Sequence, residues 1–147
     1  MQYLKLVVYL SLIVTIGCTS KPTNNNLEFS PIVNRFLLEG ASRRVTIDPD
    51  NLTIELVDKF SPELTGLSPG TIAVCNYANN HVEVLSGAWN SINEVTKELT
   101  IFHELGHCLL GLRHAECPSV MCWHMDTVSI VDYEINRTMY LDGLFKH

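Results

Sequence analysis

Basic residues are scarce in this sequence, and they are nowhere concentrated. Lysine and arginine number 10 against 16 aspartate and glutamate residues, which gives a formal net charge of −6 at pH 7. The chain also lacks a low-complexity tract and an internal repeat. Because binding to nucleic acid depends on clustered positive charge, nucleic acid is not an expected partner. A length of 147 residues with ordinary composition favours one globular domain.

Long apolar runs are missing as well, except near the N-terminus. Residues 6–16 form an apolar run that is too short to span a bilayer but has the length of a signal-peptide core. A small residue and then Cys18 follow this run, and the whole end resembles a bacterial lipobox. We expect residues 1–17 to be a lipoprotein signal peptide and residues 18–26 to comprise lipidated Cys18 and a polar linker. A plain signal peptide or an uncleaved anchor is the alternative.

The most informative stretch is residues 103–114, which read HELGHCLLGLRH. Two histidines four apart on a helix lie about 40° apart around its axis and about 6 Å apart along it, so His103 and His107 can reach one metal ion. Glu104 is then placed to act on a metal-bound water. On an unbroken helix His114 would lie about 10.5 Å beyond His107, too far for the same ion. Gly111 can end the helix, because glycine adopts the left-handed conformation without strain.

This segment resembles the metzincin zinc peptidases, and among them the matrixin-like branch most. Those enzymes also have a Met-turn, a methionine below the metal a few residues after the third histidine, and Met121 in CPSVM matches it. The usual motif is HExxHxxGxxH, whereas one extra residue precedes Gly111 here. The last helical turn before His114 must therefore be wound differently, for example as a tight or π-type turn. The alternative is a helix with two ordinary histidines and an unrelated methionine.

The resemblance implies an α+β fold over residues 27–147, a compact metzincin-like zinc metallopeptidase domain. Its parts would be a small twisted mixed sheet, an active-site helix, a backing N-terminal helix and a C-terminal helix. It implies one catalytic Zn²⁺ bound by His103, His107 and His114, with Met121 as a hydrophobic floor. The expected activity is that of a zinc-dependent endopeptidase, in which Glu104 serves as general base for a zinc-activated water.

Two alternatives to this function stay open. One is a non-catalytic zinc-binding surface lipoprotein with a binding or scaffolding role. The other keeps the peptidase but replaces His114 with a carboxylate such as Glu134, as in gluzincin-like enzymes. The expected partners are a peptide or protein substrate and a membrane, reached through the lipid on Cys18. The chain is expected to be an exported monomer, anchored in the bacterial cell envelope.

Four cysteines besides Cys18 suggest two disulfides outside the cytosol, with three possible pairings. A bridge between Cys117 and Cys122 would brace the Met-turn, and Cys75 with Cys108 would then tie a strand to the active helix. The sequence leaves the pairing open. A Cys-rich metal site and a free, packed Cys108 are the alternatives.

The remaining patterns predict the elements around this helix. Apolar spacing predicts a helix over residues 31–39, ended by Gly40, and strands over 43–47, 52–57, 71–76 and 81–85. The first two strands would form a hairpin, or the second would have a kinked lead-in. Residues 59–70 are rich in proline and glycine and predict a loop. By resemblance, strand 81–85 would lie at the sheet edge and pair with an extended substrate.

The patterns near the two later helices give further expectations. A capping box at Ser91–Glu94 would start the active helix, with a buried stripe of Ile92, Val95, Leu99, Phe102 and Leu105. A closing helix over residues 130–145 would pack through Ile135, Met139 and Leu144. Tyr133 and Tyr140 are expected to pack rather than to act in catalysis, and His81 is expected to be solvated rather than a ligand.

Overall fold

The structure, a computed structural model, describes residues 27–123 and 127–146. The fold is α+β, as predicted, with a three-stranded mixed sheet and four helices among the described residues. The expected signal peptide, Cys18 and the linker lie outside the described residues. No described helix is both long and apolar enough to cross a membrane. The elements are α1 (Ser30–Ser42), β1 (Thr53–Val57), β2 (Ala73–Asn76), β3 (His81–Leu85), α2 (Ser86–Trp89), α3 (Glu94–Leu110) and α4 (Thr127–Leu144).

Helix α1 is the predicted N-terminal helix, and it is longer than residues 31–39. Pro31 occupies its first turn, where a missing N–H does no harm. Phe36 meets Phe102 of α3 edge-on, with the ring centroids 5.2 Å apart, which packs α1 against α3. Gly40 does not end α1, contrary to expectation. Ile47 packs where a side chain at Gly40 would lie, so this glycine serves a close contact and the helix continues past it.

The sheet has the strand order β1-β3-β2, with β3 parallel to β1 and antiparallel to β2. The predicted strand over residues 43–47 is wrong, and so is the hairpin; the kinked lead-in is the alternative that fits. Arg44 has a left-handed backbone (φ 64°), and residues 45–49 belong to no strand. Val45 and Ile47 pack against the core instead, which explains their apolar pattern.

The strand before α3 is central, which corrects the expectation that it lies at the edge. Strand β3 (His81–Leu85) pairs on one side with β1 and on the other with β2, so its backbone groups are already used. The edge on the α3 side is β2, since α3 contacts β2 more than any other strand. Any peptide added to this sheet near α3 must therefore pair with β2.

The side chains of β3 alternate between the two faces of the sheet, as predicted, but other parts of the protein cover both faces. Val82 and Val84 lie in the core, as predicted. Glu83, on the opposite face, is buried too, because the loop over residues 59–70 folds across it. Ser61 donates its backbone N–H to Glu83 Oε2 at 2.8 Å and its hydroxyl to Oε1. The loop prediction is confirmed, and the loop supplies the partners that a buried carboxylate requires.

Helix α3 starts later than the capping box predicted. The N-cap is Asn93, whose side-chain oxygen accepts the N–H of Thr96 at 2.8 Å. Ser91 cannot cap α3, because its hydroxyl donates to Ala88 O at the end of the short helix α2. The apolar stripe is as predicted, since Leu99, Phe102 and Leu105 are buried and Ile92 and Val95 pack at the margin of the core.

Helix α4 agrees with the predicted closing helix but packs through a different face. Of the three expected contacts only Leu144 is buried, and Ile135 is 75% exposed. Tyr133 and Tyr140 are buried instead, because each hydroxyl finds a carboxylate. Tyr133 donates to Glu98 at 2.7 Å and Tyr140 donates to Asp132 at 2.7 Å. Both tyrosines therefore have the packing role that we expected.

Glu98 joins the three long helices. Its carboxylate, on α3, accepts bonds from Arg35 Nε of α1 (2.8 Å) and from the Tyr133 hydroxyl and Arg137 Nε of α4 (2.7 and 2.8 Å). The side chain is only 13% exposed. Burial alone would raise the pKa of Glu98, but the bonds from Arg137, Tyr133 and Arg35 outweigh it, and the pKa lies below its usual value.

Glu98→Gln should lower the free energy of unfolding by about 1.5–3 kcal/mol, because three donors lose a charged acceptor. A folded-state pKa below the unfolded value of 4.5 means that this stabilisation is complete above about pH 4.5 and fades as the pH falls further. Urea unfolding of both proteins at pH 7 and near pH 3 measures the difference. Glu94→Gln, which changes an exposed carboxylate on the same helix, is the control and should barely move the midpoint. Equal effects of the two substitutions would contradict this assignment.

Candidate metal centre

Helix α3 carries the centre on the face that borders the core. Leu99, Phe102 and Leu105 anchor the helix in the core. His103, Glu104 and His107 are 5%, 7% and 6% exposed, so these polar side chains are removed from water on a rigid support. Burial of three ionisable groups within five residues requires compensating partners, and the structure supplies them.

The helix ends at Gly111, as predicted, in the left-handed conformation (φ 65°, ψ 21°). The N–H of Gly111 bonds to His107 O, four residues back, at 3.1 Å. The N–H of Leu112 bonds to Gly106 O, six residues back, at 3.0 Å. The outer bond of a Schellman ending spans five residues, so this last turn is widened by one residue. This widened turn accommodates the extra residue before Gly111 and returns the chain towards the helix.

The returning chain brings His114 to the two helical histidines. One ring nitrogen from each of His103, His107 and His114 lies within 4.8 Å of the other two, a grouping that could hold a metal ion. The ring centroids are 4.7 Å apart for the helical pair, and 5.1 and 4.8 Å from each of these to His114. His114 is exposed, whereas the other two are buried, so the group opens to solvent on the His114 side.

Hydrogen bonds fix the orientation of the two buried rings. His103 Nδ1 lies 2.8 Å from Val120 O, and His107 Nδ1 lies 2.7 Å from Leu112 O. A carbonyl oxygen can only accept, so each Nδ1 carries the hydrogen and each neutral ring keeps a lone pair on Nε2. The two Nε2 atoms are 3.1 Å apart. Two lone pairs at this distance repel unless a cation lies between them.

This spacing fits a metal ion. Two nitrogens bound to one tetrahedral ion by bonds of about 2.1 Å lie about 3.4 Å apart. The His103 and His107 Nε2 atoms are close to that separation. Backbone carbonyls that accept from the other ring nitrogen are the usual support for histidine ligands. The residues present therefore fit a bound transition metal.

Burial also keeps the two helical histidines neutral. It lowers the pKa of His103 to about 4, against the opposing bond to Val120 O. The pKa of His107 is lowered for the same reason, although its bond to Leu112 O opposes the shift. Only the neutral imidazole has a lone pair for a metal ion. Both rings are therefore in the ligating form at neutral pH.

Glu104 is a buried carboxylate whose pKa differs from its usual value. Burial raises its pKa to about 7, and the backbone N–H of Cys75, which donates to Oε2 at 2.8 Å, opposes that shift. The bond holds one oxygen of the carboxylate, and the other has no hydrogen-bond partner among the described residues. A carboxylate whose pKa lies near neutrality suits proton transfer at pH 7.

Met121 lies directly beneath the helix. It is buried, and its Sδ atom occupies the space that a Cβ at Gly106 would need. The preceding carbonyl, Val120 O, is the acceptor for His103 Nδ1. The N–H of Ala115, just after His114, donates to Met121 O at 2.9 Å. The methionine segment thus contacts the helix, the first histidine and the chain after the third.

The two disulfides are Cys75–Cys108 and Cys117–Cys122. The first joins β2 to α3 beside His107, with a Cα–Cα distance of 5.8 Å. The second closes the loop that holds Met121. The expectation of two disulfides is confirmed. A cysteine metal site and a free Cys108 are both wrong, because all four sulfur atoms are used.

Other candidates lie apart from this centre. Glu134 is exposed on α4 beside Arg35 and Arg137, so the described residues give no support to it as the third ligand. His81 lies with Glu55 and Glu83 on the far face of the sheet and contacts the Thr53 hydroxyl (2.6 Å) and Glu55 Oε1 (3.1 Å). Those neighbours satisfy both of its ring nitrogens without a metal. His81 is half-buried, and its ring nitrogens contact protein groups as well as lying near solvent.

Two groups at the centre had no signal in the sequence. The backbone N–H of Cys75 reaches Glu104. The hydroxyl of Tyr77, in the turn after β2, lies 2.9 Å from His107 Nδ1. Both contacts join residues about thirty positions apart, so no local pattern predicts them. Comparison of the chain with protein-family models, with curated proteins and with solved structures finds no match.

Gly106→Ala should displace Met121 and disturb the helix face that carries the histidines. Overpacking of this kind lowers the free energy of unfolding by about 1–3 kcal/mol, and we expect weaker metal binding with it. Gly143→Ala is the matched control, because nothing lies within 4 Å of a Cβ at that helical glycine. It should be neutral or stabilising by up to about 1 kcal/mol. Thermal unfolding and zinc titration of both variants test this; a harmless Gly106→Ala would contradict the packing argument.

Proposed function

We propose that this protein is a zinc-dependent endopeptidase of the metzincin type. One observation carries the proposal: ring nitrogens of three histidines lie within 4.8 Å of one another, and a buried carboxylate, Glu104, directly follows the first of these histidines on α3. A group of histidines alone would suggest only metal storage or a structural site. Glu104 adds a proton acceptor whose pKa lies near 7. Metal ligands with an adjacent base are the arrangement that metal-assisted hydrolysis of a peptide bond uses.

Zinc is the metal that we propose. Neutral imidazoles at tetrahedral spacing suit zinc, although other transition metals also accept imidazole ligands. Within the described part of the chain, the group holds three protein ligands. Structural zinc sites use four, whereas catalytic sites use three and leave a position for water or substrate. The ligand number therefore supports a catalytic ion over a structural one.

Each group at the centre then has a separate role in the proposed reaction. His103, His107 and His114 would hold the ion, and the carbonyls of Val120 and Leu112 orient two of the rings. A bound zinc ion supplies Lewis acidity, which lowers the pKa of water to about 7 and polarises a carbonyl group. Glu104 would accept the proton of the attacking water through the oxygen that does not bond to Cys75, and would return a proton to the leaving amine.

An extended peptide is the substrate class that suits the surroundings. Strand β2 is an edge strand, and the N–H of Cys75 points to Glu104 rather than to β3. A peptide paired along this edge would run past the general base. The Cys75–Cys108 bridge fixes the edge to α3, so the strand and the base keep their relative position.

The proposed location is the bacterial cell envelope, with the domain held to a membrane by lipid on Cys18. Two disulfides in a domain of this size support an oxidising compartment outside the cytosol. The resemblance of the N-terminal end to a lipobox supports a lipid anchor on Cys18. We further propose that the domain acts as a monomer on peptide or protein substrates.

Glu104→Ala should abolish peptide hydrolysis while leaving about one zinc per chain, because Glu104 moves protons and does not bind the ion. General acid–base catalysis contributes about 10²–10⁴-fold, so the loss should be at least that large. His107→Ala should lose both zinc and activity. Zinc content by mass spectrometry and cleavage of a broad peptide library measure both properties in the same preparations.

Glu94→Ala is the control, since Glu94 is an exposed carboxylate on the same helix. It should keep both zinc and activity. Substantial cleavage by the Glu104 variant would refute the mechanism. Zinc in the parent without any cleavage would instead favour the non-catalytic binding role.

A further inference from the structure

Tyr77 is an exposed aromatic residue that reaches the metal centre from outside the ligand-bearing elements. It is 60% exposed, in the turn between β2 and β3. Its hydroxyl oxygen lies 2.9 Å from His107 Nδ1, and its ring meets the imidazole edge-on with the centroids 5.5 Å apart. An exposed tyrosine in a turn has many rotamers available, so a contact with a buried histidine requires a cause.

The cause is the attachment of this turn to α3. Two residues before Tyr77, Cys75 is linked to Cys108 and donates its N–H to Glu104. These two links hold the end of β2 against the segment of α3 that carries His107. The Tyr77 hydroxyl is the third link in this region, and the only one of the three that touches a histidine ligand.

The hydrogen on His107 Nδ1 is shared by two oxygens. Leu112 O lies at 2.7 Å and the Tyr77 hydroxyl oxygen at 2.9 Å. Because a carbonyl oxygen only accepts, Nδ1 must donate, and the tyrosine oxygen is a second acceptor. Two acceptors on one side of the ring favour the tautomer that leaves Nε2 free for a metal ion. They also limit rotation of the imidazole ring about the Cβ–Cγ bond of His107.

The contact between Tyr77 and His107 also affects the segment that carries the third histidine. Leu112 and His114 belong to the short segment that follows Gly111, and His107 holds that segment through Leu112 O. A ring that is better fixed at His107 therefore also steadies the chain that presents His114. His103, by comparison, is supported from the Met121 side through Val120 O.

We propose that Tyr77 is a positioning residue for the metal centre, which acts through its hydroxyl on His107 and so raises the affinity for the ion. This inference rests on the proposed zinc site. Tyr77 does not touch the reacting atoms, since its hydroxyl lies on the Nδ1 side of the ring and the ligating atom is Nε2. Its loss should weaken metal binding, because residues that support a ligand in this way typically contribute 10–100-fold to metal affinity.

The test compares the zinc affinity of the full-length protein in detergent with that of four variants: Tyr77→Phe, Tyr77→Ala, Tyr133→Phe and His107→Ala. Competition with a chelator of known affinity gives the zinc dissociation constant at pH 7. Tyr77→Phe, which removes only the hydroxyl, should weaken binding about tenfold. Tyr77→Ala, which also removes the ring, should weaken it at least as much. Tyr133→Phe is the matched control: it removes a hydroxyl that bonds to Glu98 and not to a histidine, and should leave the affinity unchanged.

The visible spectrum of the cobalt-loaded protein is a second readout. Ligand orientation sets the intensity of these bands, so Tyr77→Phe should alter the spectrum and Tyr133→Phe should not. Equal affinities for Tyr77→Phe and the parent would overturn the inference, whatever Tyr77→Ala does, because the hydroxyl would then have no role. Equal weakening by the Tyr77 and Tyr133 substitutions would overturn it as well.

His107→Ala separates this inference from the metal site itself. If the parent binds zinc and His107→Ala does not, the site stands, and Tyr77→Phe alone decides the role of the tyrosine. If the parent binds zinc no better than His107→Ala, the proposed zinc site fails and the Tyr77 role fails with it.

Discussion

The constraint on which this structure depends is the close approach of two imidazole nitrogens that carry no hydrogen. His103 and His107 each give their Nδ1 hydrogen to a backbone carbonyl, which leaves two Nε2 lone pairs 3.1 Å apart. This contact is unfavourable by itself and becomes favourable only when a cation bridges it. His114 brings a third ring nitrogen to the same point, and the three together could hold a metal ion.

Rigid support for that contact comes from several directions. The left-handed Gly111 and the widened last turn return the chain so that His114 closes the group. The missing side chain of Gly106 admits Met121 against the helix. The two disulfides fix the edge strand and the methionine segment. A site that must hold ligands within a few tenths of an ångström needs such redundancy, and a small domain obtains it more readily from covalent links than from core size.

The sequence predicted the parts of this structure that local rules govern. The helix with its histidines, the exit at Gly111 and the strands near residues 52–57 and 81–85 follow from spacing and from residue preference. Apart from the start of α3, where Asn93 rather than Ser91 is the N-cap, the errors concern choices between distant partners. Residues 43–47 have a strand-like pattern but no strand beside them, and β3 became central because both neighbours pair with it. Helix α4 buries its tyrosines because Glu98 and Asp132 accept their hydrogens, and Tyr77 reaches His107 across thirty residues.

The most direct test of the central claim is X-ray absorption at the zinc edge of the purified, zinc-loaded protein. Our account predicts a four-coordinate ion with nitrogen and oxygen neighbours at about 2.0–2.1 Å and outer-shell scattering from three imidazoles. Two imidazoles with an added carboxylate would contradict His114 as the third ligand. Sulfur neighbours at about 2.3 Å, or no stoichiometric zinc at all, would contradict the proposed centre itself.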